Sequence, residues 1–216
     1  MSTVQHELGT VEGLNATTSL TDLERQIVEA GETIRNRTIK PHEDLAIDDQ
    51  IIPRLRLVDY RFAEKSLPYL HTVTRDYFHM PIETTFNWDE VADRLGIDEK
   101  GDWFIVAFRS VRKPSADTQA LYNADALAHQ EAIESGGLLK YWYGTLNELR
   151  QCLAMCIWSN RQFARAATVK PLHIQAVSLT RQMYESYTLE RYRLIKHKGE
   201  AKFQIERLEE CHRTTA

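Results

Sequence analysis

Three side chains between Ala116 and Ser135 have the types and spacing of an acid–base device. Tyr122, Asp125 and His129 stand at i, i+3 and i+7, one face of about two helical turns. A carboxylate four residues before an imidazole can fix its tautomer and raise its basicity. A general base needs both to take a proton from an activated carbon or hydroxyl. His129 and Asp125 are therefore candidate catalytic residues, the alternative being a solvated polar stripe opposite the helix's alanine face. His173 follows Pro171 at a helix restart and is a second proton shuttle, or else a satisfied surface or core histidine.

Candidate binding residues gather on the segments around these. In Lys140-Tyr141-Trp142-Tyr143-Gly144, strand alternation sends Tyr141 and Tyr143 to one face and Lys140 and Trp142 to the other. A buried tyrosine wants a hydrogen-bond partner, which a substrate carbonyl can be; plain packing explains the run equally well. Phe104, Phe108 and Trp158 complete an aromatic wall, and Arg109 or Arg191 would hold an oxyanion. Tyr184, Tyr187 and Tyr192 with Arg191 and Arg193 form a tyrosine–arginine corner, either stacked for structure or suited to a carboxylate or enolate oxygen. Arg161-Gln162-Phe163-Ala164-Arg165-Ala166 has the outline of the acyl-CoA loop of acetyltransferases. Ala164 stands where glycine would let backbone N–H groups approach a pyrophosphate.

No metal or organic cofactor is proposed by any motif: the eight histidines are scattered singly, without HxH, HExxH or CxxC spacing. Cys152 and Cys156 fall four residues apart on a strand, about 13 Å, on one face and too far for a disulfide or a shared zinc. With Cys211 they make three cysteines, an odd and sparse set that fits a reducing compartment. The start, MSTVQHELGT, lacks basic and apolar signal regions, so a cytoplasmic location is expected.

The elements that must position these residues follow from the pattern. With 43% apolar residues, 27% charged, nine glycines and six prolines in 216, the chain suits a helix-rich or α+β globular protein. No run of 18 apolar residues exists, which excludes a transmembrane helix and a membrane partner. A net charge of −4 argues against nucleic acid. Residues 1–18 read as a flexible N-terminus. Residues 19–100 read as a mainly helical extension: a capped helix from Thr21, a surface connector over 39–59, a helix from about Ser66 to Met80, and a short helix that Asn87 caps and Gly96 ends. From Trp103 the strands are 103–111, 138–146, 150–158 and 189–198, with an edge strand near 202–208. Helices fill 116–135, ended by Gly136-Gly137, and 160–187, opened by Asn160 and broken at Pro171.

The order β-α-β-β-α-β over 101–216 predicts an α+β, ferredoxin-like antiparallel sheet with both helices on one face. The other face, expected to carry Phe104, Val106 and Phe108, needs cover from the N-terminal segment or from a second copy of the chain. This order resembles the dimeric α+β-barrel superfamily, whose paired sheets enclose a cavity and whose members include cofactor-free monooxygenases, cyclases and isomerases. The wording FRSVRKPSAD, AHQEAIESGGLLKYWYG, CIWSNRQFARAA and PLHIQAVSLTRQMYESYTLERYRL also resembles a fungal family of uncharacterised proteins.

Together these features imply a homodimeric, cofactor-independent small-molecule enzyme. It would perform a proton transfer or cyclisation on an apolar oxygenated metabolite, as in fungal secondary metabolism, in an aromatic-lined cavity. The rival readings are an acyl-CoA-dependent acyltransferase and a non-catalytic dimeric ligand-binding or scaffold protein.

Overall fold

The computed structural model of the chain describes residues 54–208. The helix expected from Thr21, the segment 1–18 and Cys211 lie outside the described residues. Five strands form one antiparallel sheet: β1 (Gly101–Arg112), β2 (Leu138–Tyr143), β3 (Gln151–Trp158), β4 (Tyr184–Lys196) and β5 (Phe203–Arg207). Their order across the sheet is β2-β3-β1-β4-β5. That is the ferredoxin-like arrangement, extended by one edge strand.

Before the sheet come α1 (Leu57–Arg61), a π turn (Phe62–Ser66), a 3-10 turn (Leu67–Tyr69), α2 (Ile82–Thr85) and α3 (Trp88–Leu95). The helix expected over 66–80 is thus only short turns, because Pro68 sits within a 3-10 turn and Leu70 leaves it extended. The last part of the expected connector, by contrast, is anchored. Asp59 of α1 is buried, accepts from the Arg56 backbone N–H at 2.7 Å, and takes the indole N–H of Trp103 at 2.8 Å. Asn87 precedes α3 without capping it. Its side chain accepts from the His71 N–H at 2.9 Å and donates to Tyr69 and Glu90, lacing loop to helix. Gly96 does end α3.

The remaining helices are α4 (Thr118–Glu134), α5 (Arg161–Thr168) and α6 (Pro171–Met183). Asp117 caps α4, and Asn160 accepts the N–H groups of Gln162 and Phe163 at 2.9 and 3.2 Å to cap α5. Gly137 turns the chain into β2 at φ +71°, and a Cβ there would strike Phe163 at 2.2 Å. The second helical stretch stops at Met183, so β4 starts five residues earlier than expected. Tyr184 and Tyr187 therefore lie on the strand, paired with Arg112 and Ser110 of β1. Aromatic residues that find a partner strand favour extension over another helical turn. Strand β2 stops at Tyr143, short of the expected 146.

The register reverses the expected face assignment. Trp103, Ile105, Ala107 and Arg109 of β1 share a face with Leu153, Met155 and Ile157 of β3 and with Glu190, Tyr192 and Leu194 of β4. This is the face the helices do not cover, and residues 54–95 fill it. Phe62, Leu67, Ile82, Phe86, Trp88 and Val91 are buried against it. Phe62 lies 4.2 Å from the Trp103 ring, and Phe86 meets Trp142 edge-on at 4.9 Å. Fully burying each such side chain contributes about 1.5–3 kcal/mol. The space expected between two facing sheets is occupied by the chain itself. Phe104, Val106 and Phe108 instead face the helical layer, where Phe104, Trp158, Phe163, Ala164 and Ala167 form a second, smaller core under α5.

Candidate functional site

Above that small core, the helix side of the sheet remains partly open. The strand residues there alternate onto one face: Phe108, Ser110 and Arg112 of β1, Tyr141 and Tyr143 of β2, Cys152 and Cys156 of β3, Tyr187 and Arg191 of β4. Most are half-buried, and α4 closes over them with Tyr122, Asp125 and His129. The stripe with the expected acid–base spacing therefore contacts the sheet, while Asp125 itself keeps open surface. The alanine side packs elsewhere: Ala128 and Glu131 meet the start of α6, where the His173 N–H donates to Glu131 at 2.9 Å.

Asp125 has a partner that its spacing did not imply. Its Oδ1 accepts the Tyr141 hydroxyl at 2.7 Å. The His129 ring packs on Tyr141, centroids 4.8 Å apart. Asp125 keeps open surface, yet the protein packed around it desolvates its carboxyl and pushes it upward against the opposing Tyr141 hydrogen bond and Arg112 charge. Burial, reinforced by Asp125, holds the Tyr141 phenol well above its ordinary value. Tyr141 thus stays a donor and Asp125 an acceptor with one oxygen uncommitted. The two cysteines share this face as expected. Burial pushes Cys152 up to about 11 and Cys156 higher still, so neither thiol is poised as a nucleophile.

Arg112 lies at one end of this half-buried face, the groove between α4 and the sheet. It is 8% exposed, its guanidinium lies 4.7 Å over the Tyr122 ring, and its Nε and Nη1 have no acceptor. Tyr184 stands beside it and Tyr187 lies 5.7 Å further along, ring to ring, with Phe108 next at 6.2 Å. Arg112 was not among the site candidates from the sequence, whereas Tyr122 and the corner tyrosines Tyr184 and Tyr187 were. Period-two alternation from Phe104 through Ser110 did carry a signal: it aims a charged residue down the face of an aromatic stripe.

Other candidates fall outside the groove. Trp142 is on the opposite face, packed by Tyr77 and Phe86. Phe104 and Trp158 are core. His173 sits in the seam between α4 and α6, its Nδ1 buried without a partner and its pKa lowered by burial. Arg109, offered as an oxyanion holder, is a clamp on the covering segment. Its Nε donates to Glu190 at 3.0 Å, Nη1 to the carbonyls of Tyr77 and Phe78, and Nη2 to Met80 at 2.7 Å. A cavity of about 380 Å³ lies between residues 78–83 and Arg109, Glu190, Tyr192 and Arg207. Its buried polar groups already satisfy one another, since Tyr192 donates to Glu190 at 2.8 Å and Arg109 is fully committed. The acyl-CoA outline also fails structurally. Arg161–Thr168 is helix throughout, Ala164 is buried against the sheet, and Asn160 already takes the first N–H groups. Among the described residues no cluster of three or more His, Cys, Asp or Glu could hold a metal ion.

Sheet order, helix placement and an unspent polar groove define an α+β protein of ferredoxin-like topology with a candidate site on its helix side. The chain belongs to the PB2B2.08-like family, whose model matches residues 54–207. It is 37% identical over 97 residues to UPF0643 protein PB2B2.08 of Schizosaccharomyces pombe, an alignment covering 42% of this chain and 44% of that protein. The matched region thus spans less than half of that relative's length. Among solved structures, protein SO0527 from Shewanella oneidensis is similar, with 15% identity and a TM-score of 0.40 over 46% of this chain and 98% of that one. SnoaB, a cofactor-independent oxygenase from Streptomyces nogalater, gives 12% identity and a TM-score of 0.34 over 43% and 90%. A dimeric ferredoxin-like protein of unknown function from Thermobifida fusca gives 11% and 0.35 over 42% and 90%.

Proposed function

We propose that the chain is a cofactor-independent enzyme that moves a proton on a small oxygenated metabolite held in the groove between α4 and the sheet. The observation that carries this reading is the Tyr141–Asp125 pair, joined at 2.7 Å in a half-open aromatic wall. The phenol fixes one carboxylate oxygen, leaving the other to take a proton from a carbon beside a carbonyl. Desolvation raises the carboxylate's basicity above that of an ordinary aspartate. Phe108, Tyr143 and Tyr187 supply apolar walls that hold a reactive conformer, and Arg191 projects from the same face toward developing negative charge. His129, stacked on Tyr141, is a positioning residue or a second shuttle. Isomerisation and aldol-type cyclisation both begin with this step.

Within the described residues, 101–208 are the functional domain in this proposal, with residues 54–95 as its cover. A homodimer in the cytoplasm is retained, formed through surface other than the face that residues 54–95 fill. No described helix is long and apolar enough to cross a membrane. The test is deuterium uptake. The full chain is incubated in D2O with a panel of enolisable ketones, β-diketones and keto acids, followed by proton NMR. Uptake into at least one panel member above the buffer rate, lost in Asp125→Asn, supports the reading. No uptake above buffer, or uptake unchanged in Asp125→Asn, overturns it. Binding without uptake would favour the ligand-binding module, which the same groove serves equally well.

A further inference from the structure

We infer that the groove's ligand is a monocarboxylate, whose charged oxygens accept the hydrogen bonds Arg112 has left over. This rests on reading the groove as the functional site, and it adds the class of molecule.

The inference starts from a polar group without a partner. An arginine 8% exposed, with two buried guanidinium nitrogens unmet, is costly, because buried charged donors lose water without replacing it. Nearby acids do not relieve it. Asp125 feels the Arg112 charge but forms no ion pair with it, and its bonded oxygen serves Tyr141. Glu185 pairs with Arg150 at 3.1 Å. Arg150 in turn pins Arg112 in place: the Arg112 N–H donates to the Arg150 carbonyl at 2.9 Å, and Arg150 Nε donates to the Arg112 carbonyl at 2.8 Å. Arg150 holds a left-handed φ of 61°, so the pinning is built at some backbone expense, next to a register shift in the β1–β4 ladder. Lys113 is turned away, donating to the Gln182 carbonyl at 2.8 Å. The position is fixed, Tyr184 takes part of the guanidinium, and Nε and Nη1 remain unspent.

The surroundings select the anion. One buried cation matches one negative charge, and Asp125 on the same face repels a second, which disfavours a phosphate dianion. Tyr122, Tyr184, Tyr187 and Phe108 offer a contiguous aromatic wall beside the guanidinium, so the carboxylate carries an apolar or aromatic body. A ligand anchored at Arg112 extends toward Asp125, which puts the charged end and the acidic carbon at opposite ends of one groove. Its anionic charge also offsets the field of Arg112 on Asp125, making the carboxylate a better base only when substrate is bound.

The test is equilibrium binding to the full chain, by calorimetry or NMR titration, with benzoate, benzamide and inorganic phosphate as probes. Benzoate is expected to bind at least tenfold tighter than benzamide or phosphate, and Arg112→Met to weaken benzoate at least tenfold. Arg112→Lys, which keeps the charge without the planar fork, is expected to fall between. Ligand-free Arg112→Met is expected to melt at or above the wild-type temperature, since it removes an unmet buried charge. Benzamide or phosphate binding as tightly as benzoate, or unchanged benzoate affinity in Arg112→Met, overturns the inference. So does a melting temperature lowered by about 5 °C or more in that variant, which marks a structural arginine satisfied by water. Deuterium uptake without carboxylate selectivity would overturn this inference alone. Carboxylate selectivity without uptake would overturn proton transfer alone.

Discussion

Asp59→Ala should unfold the covering segment from the sheet at a cost that can be worked out bond by bond. The Asp59 carboxylate is 1% exposed and accepts the Trp103 indole N–H at 2.8 Å and the Arg56 backbone N–H at 2.7 Å. It also pairs with the Arg56 guanidinium at 2.7 Å, but that side chain is 46% exposed and can rehydrate, so its loss adds little. Trp103 is fully buried, and its N–H would be left without an acceptor, as would the Arg56 amide. Two orphaned donors at about 1–3 kcal/mol each give a loss of roughly 4 kcal/mol. For a domain with total stability of about 5–15 kcal/mol that is a large fraction. Urea unfolding followed by tryptophan emission reads it directly. With a slope of about 2 kcal/mol/M, the midpoint falls by about 2 M. Arg56→Ala, which keeps the carboxylate and the indole bond, is expected to cost about 1 kcal/mol or less. An Asp59→Ala loss below about 1 kcal/mol, or an Arg56→Ala loss equal to it, would refute the claim that this carboxylate ties residues 54–95 to the sheet.

Two further outcomes follow from the groove and its turn. Burial raises the Asp125 carboxyl above its ordinary 3.8, so the unfolded chain releases this proton first as pH rises. Its contribution to stability is whole below the ordinary value and is lost as pH climbs through the folded one. Asp125→Asn should therefore gain in melting temperature relative to wild type as pH rises above the ordinary value of 3.8; a flat or falling difference contradicts the sign. Gly137→Ala combines φ +71° with a Cβ placed 2.2 Å from Phe163, and should cost at least about 2 kcal/mol in chemical unfolding. A near-neutral substitution would mean that the turn into β2 can relax.

Much of the scaffold was legible because its signals are local. Asn160 as a cap, Gly136-Gly137 as a stop, and the strand–helix alternation from Trp103 each depend on a few adjacent residues. What was not legible depends on phase and distance. Alternation groups Phe104, Val106 and Phe108 on one face, but only the register and the cover decide which face that is. Asp59 sits in a stretch of prolines and acids that reads as surface, and its burial depends on Trp103, 44 residues away. The Tyr122–Asp125–His129 spacing was legible, but the Tyr141 hydroxyl that Asp125 accepts comes from a strand 16 residues on, which helix spacing does not show. Arg112 was missed by one residue, just past the expected end of its strand. Arg109 shows the reverse error: a charged residue on an aromatic strand reads as a ligand holder, yet the carbonyls of residues 77, 78 and 80 consume its donors.

The proposed chemistry lies on the helix side of the sheet, at a carboxylate held by a phenol, with a fixed guanidinium at the other end of the groove. The most direct test is deuterium uptake into one enolisable carboxylate that binds the wild-type chain, compared side by side across single substitutions in the groove and on the opposite face. Uptake is expected to be abolished in Asp125→Asn, reduced about tenfold or more in Tyr141→Phe, and unaffected in Glu83→Gln, which lines the cavity on the other face. Uptake that survives Asp125→Asn and Tyr141→Phe but disappears in Glu83→Gln would contradict it and move the site to the face that residues 54–95 cover.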